Sequence, residues 1–153
     1  MANVYVQTSF ELPLDDEAAV LDVVQYASTI FDISLGEDVS KEDYKKVNGK
    51  LHENRCYSGS VSADGKKVWF VGEDGFDSDY FESVIKYAMK KYNITFASYT
   101  WSETCDKMRT DHFSGGGVVL MMDKRKRIKT KYTSGFSFTM EEHRKHKLRE
   151  SKQ

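Results

Sequence analysis

The chain opens on alternation. Over residues 3–12, Val4, Val6 and Phe10 fall on one side with Thr8 between them, the period-two pattern of a strand with one buried face. Pro13 ends that run, and Asp15 or Asp16 supplies a side-chain oxygen to cap a helix. The period then lengthens: Val20, Val24, Ala27 and Phe31 recur at helical steps, and Leu21, Val23 and Ile30 widen the stripe. A stripe that broad requires a sheet beneath it. After a polar stretch at Gly36–Asp38, Ser40 and Asp43 stand at near capping-box spacing. They predict a short helix with Tyr44, Val47 and Leu51 inward, although Gly49 weakens it.

A hairpin comes next. Cys56–Ala63 and Lys66–Gly72 read as strands joined by Asp64-Gly65, a pair that tolerates the positive φ angles of a tight turn. Val68, Phe70 and Gly72 lie on one face of the second strand, with Trp69 and Val71 on the other. Apolar residues on both faces predict a central strand. Asp77 or Ser78 caps a helix carrying Phe81, Val84, Ile85, Ala88 and Tyr92 at helical spacing, and Asn93 is its stop. Residues 94–101 are a strand by composition, followed by a polar and glycine-rich loop over 102–117. Val118–Met122 reads as a short buried strand. In its partner, Ile128, Thr130 and Tyr132 alternate with Lys129 and Lys131. Thr139–Glu142 is a capping box that opens a charged helix running to about residue 150.

The resulting order is β-α-(α)-β-β-α-β, then a β-hairpin extension and a basic C-terminal helix. The fold class is therefore α+β: a ferredoxin-like split βαβ sandwich, an antiparallel sheet with helices on one face. At 153 residues the chain fits a single domain, taken as 1–135, with 136–153 as the basic helix or tail. Aromatic residues at 13% supply a packed core without disulfides or metals. Cys56 and Cys105 form no framework, which points to reduced thiols and a cytoplasmic setting. The start of the chain lacks a secretory pattern, and no apolar run is long enough to cross a bilayer.

Charge changes the picture most. Residues 1–123 hold 12 Lys+Arg against 21 Asp+Glu, a net −9, whereas residues 124–153 hold 11 against 3, a net +8. Such a split marks an interaction surface. Lys124, Arg125, Lys126, Arg127, Lys129 and Lys131 lie on and after the second hairpin turn, and Arg144, Lys145, Lys147 and Arg149 follow on the helix. Cations in this arrangement can track a phosphate backbone, with Tyr132, Phe136 and Phe138 available to stack on unpaired bases. The competing readings are a lysine-guarded edge strand and a tail folded onto the acidic body.

The 102–117 loop gathers Cys105, Arg109, His112 and the run Gly115, Gly116, Gly117. Long loops inside a compact domain are usually functional or mobile. The pattern Trp101, Cys105, Arg109, Phe113 and Gly115–Gly117, followed by an apolar strand, resembles a group of small uncharacterised phage and plasmid proteins over residues 70–123. The resemblance implies an accessory-gene context in a host cell and no catalytic residue. Cys105 with His112 has the elements of an activated thiol but no hydrolase signature around it; packing beside Trp101 explains the cysteine equally. The glycines can expose backbone N–H groups to a phosphate, or serve a loop or bulge that needs glycine dihedrals. Asp74, Asp77, Asp79 and Glu82 evoke a calcium loop, but helix capping accounts for them without a metal. His143 and His146 lie one turn apart with Glu142 nearby, yet no apolar shell would orient them as ligands. No cofactor, metal or catalytic residue is assigned.

These features predict a non-enzymatic protein that binds nucleic acid or a nucleoprotein through the basic hairpin and C-terminal helix. The alternatives are an inhibitor that engages a basic host protein through Asp15, Asp16, Asp22, Asp74, Asp77, Asp79 and Glu82, or a nucleotide binder built on Arg109 and Gly115–Gly117.

Overall fold

The computed structural model of the protein describes residues 4–73, 75–105 and 114–134. Its elements are β1 (Val4–Pro13), α1 (Glu17–Ser34), α2 (Lys41–Lys46), β2 (Ser60–Asp64), β3 (Lys67–Gly72), α3 (Ser78–Tyr92), β4 (Phe96–Cys105), β5 (Ser114–Met122) and β6 (Ile128–Ser134), with a 3₁₀ turn at Gly49–Leu51. The strands form one six-stranded sheet in the order β2-β3-β1-β4-β5-β6. Every neighbouring pair is antiparallel. The protein is α+β, with helices and sheet sharing a single core. Among the described residues no helix is long and apolar enough to cross a membrane.

Local chemistry sets most of the boundaries. Asp16 caps α1 by accepting from the Ala19 amide at 2.7 Å, and Asp77 caps α3 by accepting from Asp79 and Tyr80. Ser40 accepts from the Asp43 amide to open α2. Asn93 closes α3 in the left-handed conformation, φ 55°, which its short polar side chain tolerates. In the first hairpin Asp64 pairs with Lys67, so the turn residues are Gly65 and Lys66, one position later than Asp64-Gly65. Gly65 supplies the positive φ, 59°.

The core lies between the sheet and the helices α1 and α3. Phe10, Phe70 and Tyr99 sit on neighbouring strands and stack in a row, with centroids 4.5 and 4.6 Å apart. Phe81 of α3 meets Phe10 and Phe70 edge-on, the geometry that aromatic quadrupoles favour. Val20, Val23, Ala27 and Ile30 of α1, and Val84, Ile85 and Ala88 of α3, close over this row, all essentially inaccessible to solvent.

Several expectations are corrected. The buried stripe of α1 is Val20, Val23, Ala27, Ile30 and Ile33; Val24 and Phe31 sit at its edge and Leu21 is exposed. The reason is helical phase, since that stripe points at β2 and β3 while Leu21 points away. Residues 56–59 are not strand: positive φ at Asn54, Cys56 and Gly59 breaks the extended run, so β2 begins at Ser60. Gly59 is needed there, because a Cβ would lie 2.7 Å from the Phe81 ring. Leu51 is exposed rather than inward, as left-handed Asn48 separates it from α2. β3 is internal as expected, but only Val68, Phe70 and Gly72 are buried. Trp69 is exposed on the other face, its indole N–H donating to Ser9 Oγ at 3.0 Å. That face is polar over β2 and β1, carries Trp69 and Val71 on β3, and over β5 holds buried Val119 and half-buried Met121.

Candidate functional site

The basic hairpin is part of the fold. Asp123 organises the β5–β6 turn: its Oδ1 accepts from the Arg125 and Arg127 amides, both at 2.9 Å, and its Oδ2 accepts from Arg127 Nε at 3.0 Å. Those bonds hold the Asp123 carboxyl below its ordinary range, the Arg127 backbone N–H contributing most. Lys126 adopts φ 60° in the turn, and its ammonium donates to the Lys90 carbonyl at 3.4 Å. This contact brings the turn against the last turn of α3, where Lys90 and Lys91 already complement the helix dipole. Lys90, Lys124, Arg125, Lys126 and Arg127 thus share one exposed corner.

The β6 alternation agrees with the expected one. Ile128, Thr130 and Tyr132 pair with Met122, Leu120 and Val118 on the helix side, while exposed Lys129 and Lys131 pair with Met121 and Val119 on the other. Tyr132 does not share the lysine face, because its hydroxyl is drawn across to Glu82 of α3. Phe136, Phe138, His143, Arg144, Lys145, His146, Lys147 and Arg149, and with them the expected C-terminal helix, lie outside the described residues.

The described parts of the 102–117 segment are sheet. β4 continues to Cys105 and β5 begins at Ser114, so Gly115, Gly116 and Gly117 pair with Ser102, Trp101 and Thr100. Gly116 and Gly117 are flanked on the other side by Ser134 and Thr133. None of the three has a positive φ. Their positions in two ladders replace the expected glycine loop, and ladder amides are not free to cradle a phosphate. Cys105 ends β4, opposite Val4; Arg109 and His112 lie outside the described residues.

The acidic residues are dispersed over several roles. Asp16 and Asp77 cap helices, and Asp79 pairs with Arg55 at 3.7 Å. Asp74 lies outside the described residues. Asp22 is a hub between α1 and α3: its Oδ2 accepts from Tyr92 at 2.7 Å, Tyr87 at 2.9 Å and Lys91 at 2.9 Å. Burial raises the Asp22 carboxyl, but the bonds from Tyr92, Lys91 and Tyr87 outweigh it, and the pKa falls to about 2. Among the described residues no group of three His, Cys, Asp or Glu side chains is arranged to hold a metal.

Glu82 is the residue whose place the sequence pattern hides. It is 5% exposed rather than part of an acidic surface, and both of its oxygens accept from the Tyr132 hydroxyl, at 2.8 and 3.0 Å. It lies at one side of a cleft of about 350 Å³ between α3, β6 and residues 51–57. Burial, reinforced by Asp79 and Asp77, pushes its pKa up against the opposing pull of Tyr132 and Lys86. His52, at the same cleft, is a satisfied core group: buried, with Nδ1 2.7 Å from the Tyr57 hydroxyl. Burial holds it below its ordinary pKa, so it is neutral. Glu82 reads as an ordinary acidic residue near the start of α3, and only the arrival of Tyr132 from β6 reveals its burial.

Comparison with known proteins finds no matching family model, no matching curated protein and no matching solved structure.

Proposed function

We propose that the protein is a non-enzymatic nucleic-acid-binding protein that grips the phosphate backbone at the corner formed by the β5–β6 turn and the end of α3. The scaffold is a ferredoxin-like split βαβ sandwich, β1-α1-β2-β3-α3-β4, extended by the β5–β6 hairpin. The order β2-β3-β1-β4 with uniformly antiparallel neighbours supports that scaffold. One observation carries the functional reading: the Lys126–Lys90 contact and the Asp123 turn gather five cations from two elements on one exposed corner. A cationic surface fixed by backbone geometry positions phosphates without reading sequence.

Asp123 is the counter-charge there among the described residues, and it is engaged by Arg127. Lys124 and Arg125 make no ion pair among the described residues, so they can meet phosphates without first breaking one. Asp16 and Asp77 serve as caps, Asp22 as the helix hub, and Glu82 is buried against Tyr132, which favours the basic corner over an acidic docking face. Titrating isotope-labelled full-length protein with a short DNA duplex tests the assignment by NMR. The amides of Lys90 and of Lys124–Arg127 should shift together, with Trp69 unmoved. Shifts that avoid this corner would overturn the reading.

A further inference from the structure

The cleft beside Glu82 lies apart from the basic corner and is independent of it. A buried carboxylate whose proton affinity is raised by desolvation is a destabilising group at neutral pH. Tyr132 satisfies it only in part, since one hydroxyl donates across both oxygens. A second buried group on the same side of the sheet is also incomplete. The Tyr99 side chain is 2% exposed and its hydroxyl has no hydrogen-bond partner. Burial, and after it the Glu82 carboxylate, raise the pKa of that hydroxyl, although Tyr99 itself does not line the cleft. Buried polar atoms without partners are few in folded proteins, and each asks for an explanation.

The mouth of the cleft supplies the opposite chemistry. Lys86 follows Glu82 by one helical turn, about 6 Å along α3. Arg55 reaches the cleft from the loop, its Nε donating to the Leu51 carbonyl at 3.2 Å and one terminal nitrogen 3.7 Å from Asp79, the two side chains of that ion pair being 51% and 68% exposed. A pair that exposed is worth little and exchanges easily. Two large apolar groups are exposed at this opening, Leu51 at 58% and Tyr132 at 59%. Acceptor, donors and apolar walls therefore converge on one cavity, the arrangement expected of a small-molecule site.

We propose that this cleft binds a small α-amino acid, with its ammonium group on Glu82, its carboxylate at Lys86 and Arg55, and its side chain against Leu51 and Tyr132. The ammonium provides the donors that Tyr132 alone does not. The zwitterion leaves the net charge of the cleft unchanged, matching the pairing of one buried acid with cations at its rim.

Thermal unfolding of the full chain with millimolar L-phenylalanine, L-leucine or L-glutamine tests this, since a ligand that binds the folded state raises Tm. At least one of the three should raise Tm. For that amino acid, the N-acetylated form and the amine lacking the carboxylate should both fail. Glu82→Gln should abolish the ligand-induced shift while the ligand-free variant melts at or above the wild-type temperature, which separates loss of binding from loss of fold. Lys86→Ala should weaken the shift several-fold. No shift with any of the three, or a shift that survives Glu82→Gln, overturns the proposal.

Discussion

Replacing Asp22 with Asn tests the link between the two long helices. The carboxylate accepts from two tyrosine hydroxyls and an ammonium and is approached by Lys46 at 3.6 Å, with 20% of its side chain exposed. A fall in its pKa from the ordinary 3.8 to about 2 corresponds to about 2 kcal/mol, at about 1.4 kcal/mol for each tenfold change in proton affinity. Asparagine keeps the shape and one acceptor oxygen, so the loss at neutral pH should be about 1–2 kcal/mol. The sign is fixed by the direction of the shift. A depressed carboxyl contributes stability above its unfolded pKa and loses it as pH falls through its folded pKa. The difference between wild type and Asp22→Asn should therefore be full above about pH 4 and shrink toward zero near pH 2. Urea denaturation of both proteins across this range measures it. Equal stability at pH 7, or a difference that persists unchanged at pH 2, would refute the account of this hub.

Three further outcomes follow from the same geometry. Leu120→Ala removes a fully buried side chain from β5 and should cost about 2–5 kcal/mol, read as a lower denaturation midpoint with an unchanged slope; a smaller loss would mean the strand is not packed as described. Glu82→Gln should stabilise the protein above about pH 4.5, where the wild-type carboxylate ionises against its raised pKa, and this gain should vanish in acid; a variant less stable at pH 7 would count against the burial argument. Trp69 is 43% exposed and Trp101 half-buried, so Trp69→Phe should remove the redder part of the fluorescence, and a red shift of the remaining emission would contradict the assigned faces.

The sequence carries the local decisions of this fold. Asp16, Ser40, Asp77 and Asn93 each act where their chemistry predicts, and alternation correctly assigns Lys129 and Lys131 to one face and Ile128, Thr130 and Tyr132 to the other. It misleads where pairing across strands decides. Gly115–Gly117 and Ser102–Cys105 have loop composition, yet the β4–β5 ladder holds them extended. The phase of α1 is set by what lies beneath it, so Leu21 is exposed while Val23 is buried, although both read as part of the apolar stripe. The basic corner is half legible: Lys124–Arg127 announce themselves, but Lys90 joins them only through the Lys126 contact, across 36 positions of chain. The cleft is not legible at all, because Leu51, Glu82 and Tyr132 come from separate parts of the chain and each reads as ordinary in its own.

The most direct test of the proposed function is the salt dependence of DNA binding by the full-length protein and by a Lys124→Gln/Arg125→Gln variant, from about 50 to 200 mM salt. Each lost phosphate contact should lower the slope of log affinity against log salt by about 1. The account predicts binding that weakens steeply with salt in the wild type, and a slope shallower by about 2 in the variant for every duplex sequence tried. Absence of binding at low salt, or identical slopes for the two proteins, would contradict it.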